Sequence, residues 1–257
     1  NMLLDIIAAG VLGLGAQGIA IGTVIAEIST CLIAFYRLRA HLSQVYEAED
    51  TVIGLWPWQR IRDLSEMSAL IRANIDIMIR TLLLVFAFAY FTNEAAKYGV
   101  VALGATHIVL QIMAFTAFFL DGFAYVAEAE TGQSYGAKNK RFFDTALRKT
   151  TILAGLTSLL LAGLVALVGG FLVELITDIE EVIVLSKTLL SICAVYVFMS
   201  FPAFQLDGVF IGTSKTREMR DASILSVMVF LAAIWCLGDT LGLQGLWWAM
   251  VIFVVVR

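Results

Sequence analysis

The 257-residue chain is 60% hydrophobic and only 15% charged, and its mean hydropathy is +0.90. Soluble domains are about 45–50% apolar and about 25% charged, so this composition excludes an ordinary soluble fold. The formal net charge of -4 is not the strongly basic balance that is typical of a nucleic-acid-binding protein.

The apolar residues gather in runs of about 20 or more, the length that a helix needs to cross a hydrocarbon core of roughly 30 Å. The sequence lacks ten-residue blocks of alternating polarity, so the predicted spans are helices and not the strands of a β-barrel. A short apolar run, Met2–Leu14, comes first, and both it and the last span are short for a bilayer crossing. We therefore expect the sequence to be a piece of a longer chain. The predicted spans are Ala16–Tyr36, Ile75–Ala96, Val101–Ala127, Leu147–Ile176, Ile183–Gly212, Ser223–Gly238 and Leu243–Val256.

Basic residues concentrate in every second connection between these spans. Arg37–Arg72, Gly136–Lys149 and Thr213–Ala222 together hold thirteen Lys and Arg residues, whereas the remaining connections hold one, Lys97. Because Lys and Arg are enriched in cytoplasmic loops, the three basic connections are predicted to face the cytoplasm. The other connections are predicted to face outward.

The longest connection, Arg37–Arg72, contains Trp56 and Trp58 close to several charged residues. Tryptophans beside arginines are typical of an amphipathic segment at the membrane interface. A loop of this length often joins two halves of a membrane protein, and an ordinary cytoplasmic linker is the alternative.

Two carboxylates inside predicted spans are the main candidates for function. Asp121 and Asp207 each lie in a Leu-Asp-Gly triplet, on two spans that are separated by one other span. Ionisable residues within a membrane are costly and usually face a bundle interior or water. Burial disfavours the charged form of a carboxylate, so either residue could take up and release a proton. The alternative is a structural hydrogen bond to a neighbouring helix.

The span that carries Asp121 also carries His107, Gln111 and Glu128 on the same helical face. Such a polar stripe on an apolar helix predicts a cavity lining or a helix contact. We expect Asp121, Glu128 and Gln111 to line a cavity for protons, cations or substrate.

Three further residues lie in or next to the predicted spans. Asp76 and Arg80 are four residues apart and are predicted to pair with each other, with Arg80 also a cavity candidate. Pro202, five residues before Asp207, removes a backbone hydrogen bond and either shapes the cavity or accommodates packing.

The sequence offers no basis for enzymatic catalysis. It contains no phosphate-binding loop, no spacing typical of a metal site and no Ser-His-Asp set, so the expected function is not enzymatic and needs no cofactor. Transport would then have to be coupled to an ion.

Four stretches of the chain resemble the multidrug and toxic compound extrusion (MATE) family, and within it the branch of DNA-damage-inducible protein F. They begin at Asn1, Arg80, Phe118 and Phe204 and read NMLLDIIAAGVLGLGAQGIAIGTVIAE, RTLLLVFAFAYFTNEAAKYG, FFLDGFAYVAEAETGQSYGAKNKR and FQLDGVFIGTSKTREMR. The resemblance covers essentially the whole chain.

The resemblance implies an all-α polytopic bundle of two six-helix lobes in the bacterial inner (plasma) membrane. Residues 1–36 would then be the end of the N-terminal lobe, residues 37–72 the interlobe loop and residues 73–257 most of the C-terminal lobe. The rest of the N-terminal lobe, with a key proton-binding aspartate of this branch, would lie outside the chain.

The resemblance also implies export of amphipathic or cationic compounds by alternating access, driven by protons or sodium. Asp207 resembles a family acid on helix 10, whereas the helix that holds Asp76 and Glu94 lacks the mid-membrane acid of some branches. This departure favours protons. The alternatives are a flippase for lipid-linked saccharides, which inward-facing basic residues such as Arg80 would favour, and a channel or membrane scaffold that does not transport.

Overall fold

A computed structural model of the chain describes residues 7–8, 13–48 and 64–257, and these ranges contain helices and short connections without any strand. The chain divides into two compact units, Asn1–Ser68 and Ala69–Arg257. In the described part of the chain, six helices are long and apolar enough to span a membrane, and Thr240–Val256 is a shorter apolar helix. The helices are α1 (Gly15–Ala48), α2 (Leu64–Ala96), α3 (Val100–Gly136), α4 (Lys140–Ile176), α5 (Glu180–Gly212) and α6 (Thr216–Val256).

The helices confirm the predicted all-α membrane fold, but several extend well beyond the apolar runs. The predicted loop over residues 37–72 is helical at both ends, since α1 continues to Ala48 and α2 begins at Leu64. Charged residues do not stop a helix, so hydropathy marks only the part of each helix that lies in lipid. Trp56 and Trp58, where an interfacial segment is predicted, lie outside the described residues.

In the first unit, α1 contains hydroxyl groups that turn back onto the backbone of the same helix. The side chains of Ser29 and Thr30 donate hydrogen bonds of 2.7 Å and 2.9 Å to the carbonyl oxygens four residues earlier. This back-bonding satisfies polar groups that would be costly in hydrocarbon. It therefore suits a helix that lies in a membrane.

The second unit is a bundle in which α5 packs against α3, α4 and α6. The buried core consists of large apolar side chains and includes an edge-on contact between Phe91 of α2 and Trp247 of α6, with ring centroids 5.1 Å apart. Many apolar side chains also point outward, such as Leu167, which is 86% exposed. Soluble proteins rarely expose so much apolar surface, so the exterior fits a hydrocarbon environment.

Glycines allow α3 and α5 to approach each other backbone to backbone. A Cβ atom added at Gly208 would lie 2.2 Å from the carbonyl oxygen of Ala124, and one added at Gly212 would lie 2.3 Å from that of Glu128. Two glycines four residues apart form the small-residue pattern that brings membrane helices together. This contact sets the distance between the helices that carry Asp121 and Asp207.

The α5 helix passes through Pro202 with its backbone carbonyls still satisfied. Pro202 cannot donate to the carbonyl of Phe198, four residues earlier. The hydroxyl of Ser158, on α4, donates to the carbonyl oxygens of Val197 and Phe198 at 2.9 Å and 3.1 Å. A neighbouring helix thus supplies the donor that the proline lacks, as membrane bundles commonly do.

The connections alternate between the two ends of the second unit, as the charge pattern predicts. At one end, the Tyr98 hydroxyl donates to the carbonyl oxygen of Gly238 at 3.2 Å and packs beside Gly242, whose φ of 59° breaks α6. At the other end, the basic α3–α4 and α5–α6 turns face one cavity, which Lys138 and Lys215 both line. The assignment of the second end to the cytoplasm stays a prediction.

Candidate functional site

A cavity of about 530 Å³ opens between α2, α3, α5 and the end of α6 in the second unit. Its walls are mostly apolar and aromatic, with polar groups from Thr116, Tyr196 and Ser200. Pockets of this size and composition are the usual sites for small ligands. Its four charged lining residues are Arg80, Asp121, Asp207 and Arg257.

Asp207 binds two arginines from two other parts of the bundle. Its Oδ2 atom accepts hydrogen bonds from the guanidinium groups of both Arg80 and Arg257. The three side chains are 13%, 15% and 7% exposed, so this ion pairing is largely shielded from solvent. Because breaking a buried pair leaves an uncompensated charge, removal of any one of the three side chains would destabilise the packing of α2, α5 and the end of α6.

Asp121 lies in the same cavity but has a different environment. It is partly buried on α3 and makes no hydrogen bond or ion pair with any residue in the described parts of the chain. Asp207, Arg80 and Arg257 are near enough to interact with it electrostatically. When both aspartates are ionised, the two negative and two positive charges of the cavity cancel.

The predicted pair between Asp76 and Arg80 is wrong. Asp76 accepts hydrogen bonds from Arg220 at 2.6 Å and from Thr216 at 3.3 Å, both on α6, while Arg80 binds Asp207. Asp76 is only 4% exposed, and a guanidinium from another helix satisfies it better than a neighbour on its own helix does. The two residues therefore join α2 to the bundle at two separate points.

The polar stripe predicted on α3 does not line the cavity as a unit. Of its members, only Asp121 reaches the cavity, whereas His107 and Gln111 are exposed on the outside of α3. Glu128 is partly buried where the backbone of α3 meets Gly212. Of the five candidate site residues, the structure thus brings together Asp207, Asp121 and Arg80.

Among the four charged residues of the cavity, Arg257 is the one that sequence reasoning missed. It follows directly on an apolar run, so the expectation that intramembrane charges are functional could have identified it. Its partner could not have been found in this way, because Asp207 is 50 residues away in the chain. Within residues 7–8, 13–48 and 64–257, no group of three His, Cys, Asp or Glu side chains could hold a metal ion.

Membrane-length helices around a cavity with paired and unpaired charges define a polytopic membrane protein of the transporter class. The MatE family model matches residues 77–236, which is more than half of the chain. The chain therefore belongs to the MATE family of membrane transporters, and it is a multi-pass protein of the bacterial inner membrane.

Relatives and solved structures agree with this assignment. The chain is 29% identical to DNA damage-inducible protein F of Escherichia coli over 257 residues, which are 100% of this chain and 54% of that protein. It is similar in structure to the Vibrio cholerae MATE transporter VcmN in the bent form, with a TM-score of 0.79, 20% identity and coverage of 99% of this chain and 56% of that one.

A second solved structure has a similar fold. It is a transporter of the MOP superfamily from Pyrococcus furiosus, with a TM-score of 0.82, 19% identity and coverage of 99% of this chain and 56% of that one. The chain thus spans about half the length of the relatives and structures that it matches.

Proposed function

We propose that this chain is part of a proton-coupled antiporter that exports amphipathic or cationic compounds by alternating access. The observation that carries the proposal is the pairing in the cavity: Asp207 is bound by two arginines, while Asp121 beside it has no partner in the described parts of the chain. An unpaired carboxylate among other charges is the group best suited to exchange a proton.

Charge balance links proton binding to cation release. With Asp121 ionised, the charges of the four residues cancel, and the free carboxylate can attract a cationic substrate. With Asp121 protonated, the same cavity has a net positive charge and repels that substrate. A proton and a cation would therefore exclude each other, and protons that enter from the acidic side would drive the cation out.

The geometry at Asp207 favours protons over sodium as the coupling ion. A sodium ion binds carboxylate and carbonyl oxygens, but Oδ2 of Asp207 is already bonded to the guanidinium groups of Arg80 and Arg257. Sodium bound at this carboxylate would be a third cation beside Arg80 and Arg257, and the repulsion between like charges in a shielded cavity disfavours it. A proton needs only Asp121.

The complete carrier requires a second lobe from the same protein, because the chain spans about half of its relatives. Alternating access in such transporters is a rocking of one bundle against another around a central site. The cavity of the second unit would supply one wall of that site, and residues beyond this chain would supply the other.

Reconstitution of the full-length protein tests the proposal. In vesicles that contain a pH-sensitive dye, addition of an organic cation such as ethidium is expected to release protons from the wild-type protein. The Asp121→Asn variant is expected to lose this release, while the exposed Asp144→Asn, outside the cavity, is expected to keep it. Wild-type proton release by Asp121→Asn would contradict the coupling role.

A flippase for lipid-linked saccharides is the second candidate, and the two arginines in the cavity favour it. The similar Pyrococcus furiosus protein is described as having a binding pocket of reversed polarity that suggests a different function. A flippase would transfer anionic lipid-linked sugars between leaflets and would not release protons with ethidium. Loss of that transfer in Arg257→Gln, with no cation-driven proton release in the wild type, would favour this function.

A further inference from the structure

We propose that the basic end of the second unit contains a binding site for the headgroup of an anionic phospholipid. The site is separate from the charged cavity among α2, α3, α5 and α6. It is a cavity of about 610 Å³ between the α3–α4 turn and the α5–α6 turn. Three lysines line it: Lys138 and Lys140 from the first turn and Lys215 from the second.

These lysines are cations without counterions. None of the three forms an ion pair with the described residues, and Asp144 is the one carboxylate in the lining of this cavity. At the opposite end of the unit, Lys97 binds Glu94 at 2.7 Å and Lys187 binds Glu174 at 2.5 Å. The excess of positive charge therefore lies at the end of the unit that holds the lysine-lined cavity, and it calls for a negatively charged ligand.

Helix ends add donors to the same cavity. The α4 helix begins at Lys140, and both Lys140 and the N-cap Asn139 line the cavity; the Asn139 side chain accepts a hydrogen bond from the backbone N–H of Phe142, which leaves the other N–H groups of the first turn for a ligand. The α6 helix begins at Thr216 after Lys215, and no side chain caps its N-terminus. Free backbone N–H groups and the positive end of the helix dipole attract phosphate, and here they reinforce the lysines.

The remaining lining points to a lipid rather than to a free anion. Most of the cavity wall is apolar, with the rings of Phe143 and Phe210 among its members. A phosphate needs no such wall, whereas the glycerol and upper acyl chain of a phospholipid would lie against it. Basic pockets between membrane helices on the cytoplasmic side are suited to anionic lipid headgroups, and this end is predicted to be cytoplasmic.

The basic surface continues along α4 beyond the first cavity. A second hollow, of about 700 Å³, shares Lys140 and Asp144 with it and adds Arg141, Arg148 and Lys149. Long basic side chains on the first turns of a membrane helix extend toward the headgroup layer. The lysine-lined cavity thus lies at the edge of a surface that would contact several anionic headgroups.

Lipid titration of the full-length protein in detergent, followed by native mass spectrometry, tests the site. We expect phosphatidylglycerol to bind more tightly than phosphatidylethanolamine, and K138Q/K215Q to weaken phosphatidylglycerol binding about tenfold. The φ of 53° at Lys138 is equally unfavourable for Gln, so the substitution adds no backbone strain. An unchanged elution volume in size-exclusion chromatography would show that this variant is folded.

Two matched variants complete the test. K97Q/K187Q removes the same charge at the opposite end and is expected to bind phosphatidylglycerol like the wild type, while K138R/K215R keeps the charge and is expected to keep the binding. Wild-type affinity in K138Q/K215Q, or an equal loss in K97Q/K187Q, would overturn the proposal. Displacement of the lipid by millimolar inorganic phosphate would also overturn it, because the site would then be specific for free phosphate.

Discussion

Asp121 and Asp207 lie in identical Leu-Asp-Gly triplets but occupy opposite kinds of environment. Asp207 binds two arginines and is followed by Gly208, whose Cα faces the backbone of Ala124. Asp121 has no ion pair in the described residues, and a Cβ at Gly122 would meet open space. The same tripeptide thus forms a packing contact on α5 and presents a free carboxylate on α3.

The sequence offered the same two roles, proton exchange and a structural contact, for both aspartates, and their different environments suggest one role for each. A carboxylate that two guanidinium groups hold is suited to joining helices, because its loss would leave two shielded cations without a partner. A carboxylate without a partner changes its charge at little structural cost. We therefore infer that Asp207 mainly stabilises the bundle and that Asp121 responds to protons.

The largest expected effect is a difference in stability between the variants that replace Asp207 and Asp121 with Asn. Asp207→Asn leaves Arg80 and Arg257 without a counterion, so the free energy of unfolding should fall by about 3–5 kcal/mol. Asp121→Asn should lower it by less than about 1 kcal/mol, since no ion pair is lost. Reversible denaturation of the full-length protein in mixed micelles measures both values. Equal losses would show that the two environments are alike.

The glycines after the two aspartates give the next largest difference. Gly208→Ala places a Cβ 2.2 Å from a backbone oxygen and should cost about 1–3 kcal/mol of stability, because α3 and α5 must move apart. Gly122→Ala meets no atom within 4 Å and should be neutral or slightly stabilising, since Ala favours a helix. The same denaturation experiment gives the comparison, and a neutral Gly208→Ala would contradict the close helix contact.

A smaller effect is expected at a third carboxylate, Asp76, and it tests which arginine forms an ion pair with this residue. A double-mutant cycle between Asp76→Asn and Arg220→Gln should give a coupling energy of about 1–2 kcal/mol, because the two side chains are in contact. The cycle between Asp76→Asn and Arg80→Gln should give a value near zero. A coupling energy of this size between Asp76 and Arg80, with a value near zero between Asp76 and Arg220, would instead support the ion pair that the sequence predicts within α2.

The smallest expected effect concerns the segment of α5 before Asp207. Ser158→Ala removes the hydroxyl that satisfies the carbonyls near Pro202 and should cost about 0.6 kcal/mol, the average for hydrogen bonds between membrane helices. In a Pro202→Ala background the backbone regains its own donor, so Ser158→Ala should then cost less. The same cost in both backgrounds would show that Ser158 does not compensate for the proline.

Much of the fold could be predicted because it depends on local patterns. Runs of apolar residues identified the helices, and the alternation of basic loops predicted which connections share an end, as the contact between Tyr98 and Gly238 bears out. The predicted positions of the helix ends were less accurate. Residues 37–48 are helical although they contain several polar and charged side chains, because a helix can continue beyond the apolar run that hydropathy detects.

The candidate site was predictable only in part. The cost of burying charge identified Asp121, Asp207 and Arg80 without any knowledge of the fold. The same argument also selected Gln111 and Glu128, which do not line the cavity, because a shared helical face does not say which neighbour that face will meet.

The sequence by itself determined the class of the protein, the alternation of the membrane helices in the described residues and the acids that could matter. Composition and short-range periodicity encode these properties, and they need no knowledge of distant contacts. Only the tertiary structure decided that Asp207 binds Arg80 and Arg257, that Asp76 binds Arg220, and that Asp121 has no partner in the described residues. Ion pairing depends on side chains that meet within a few ångströms, and packing brings together residues that lie 50 to 144 positions apart in the chain.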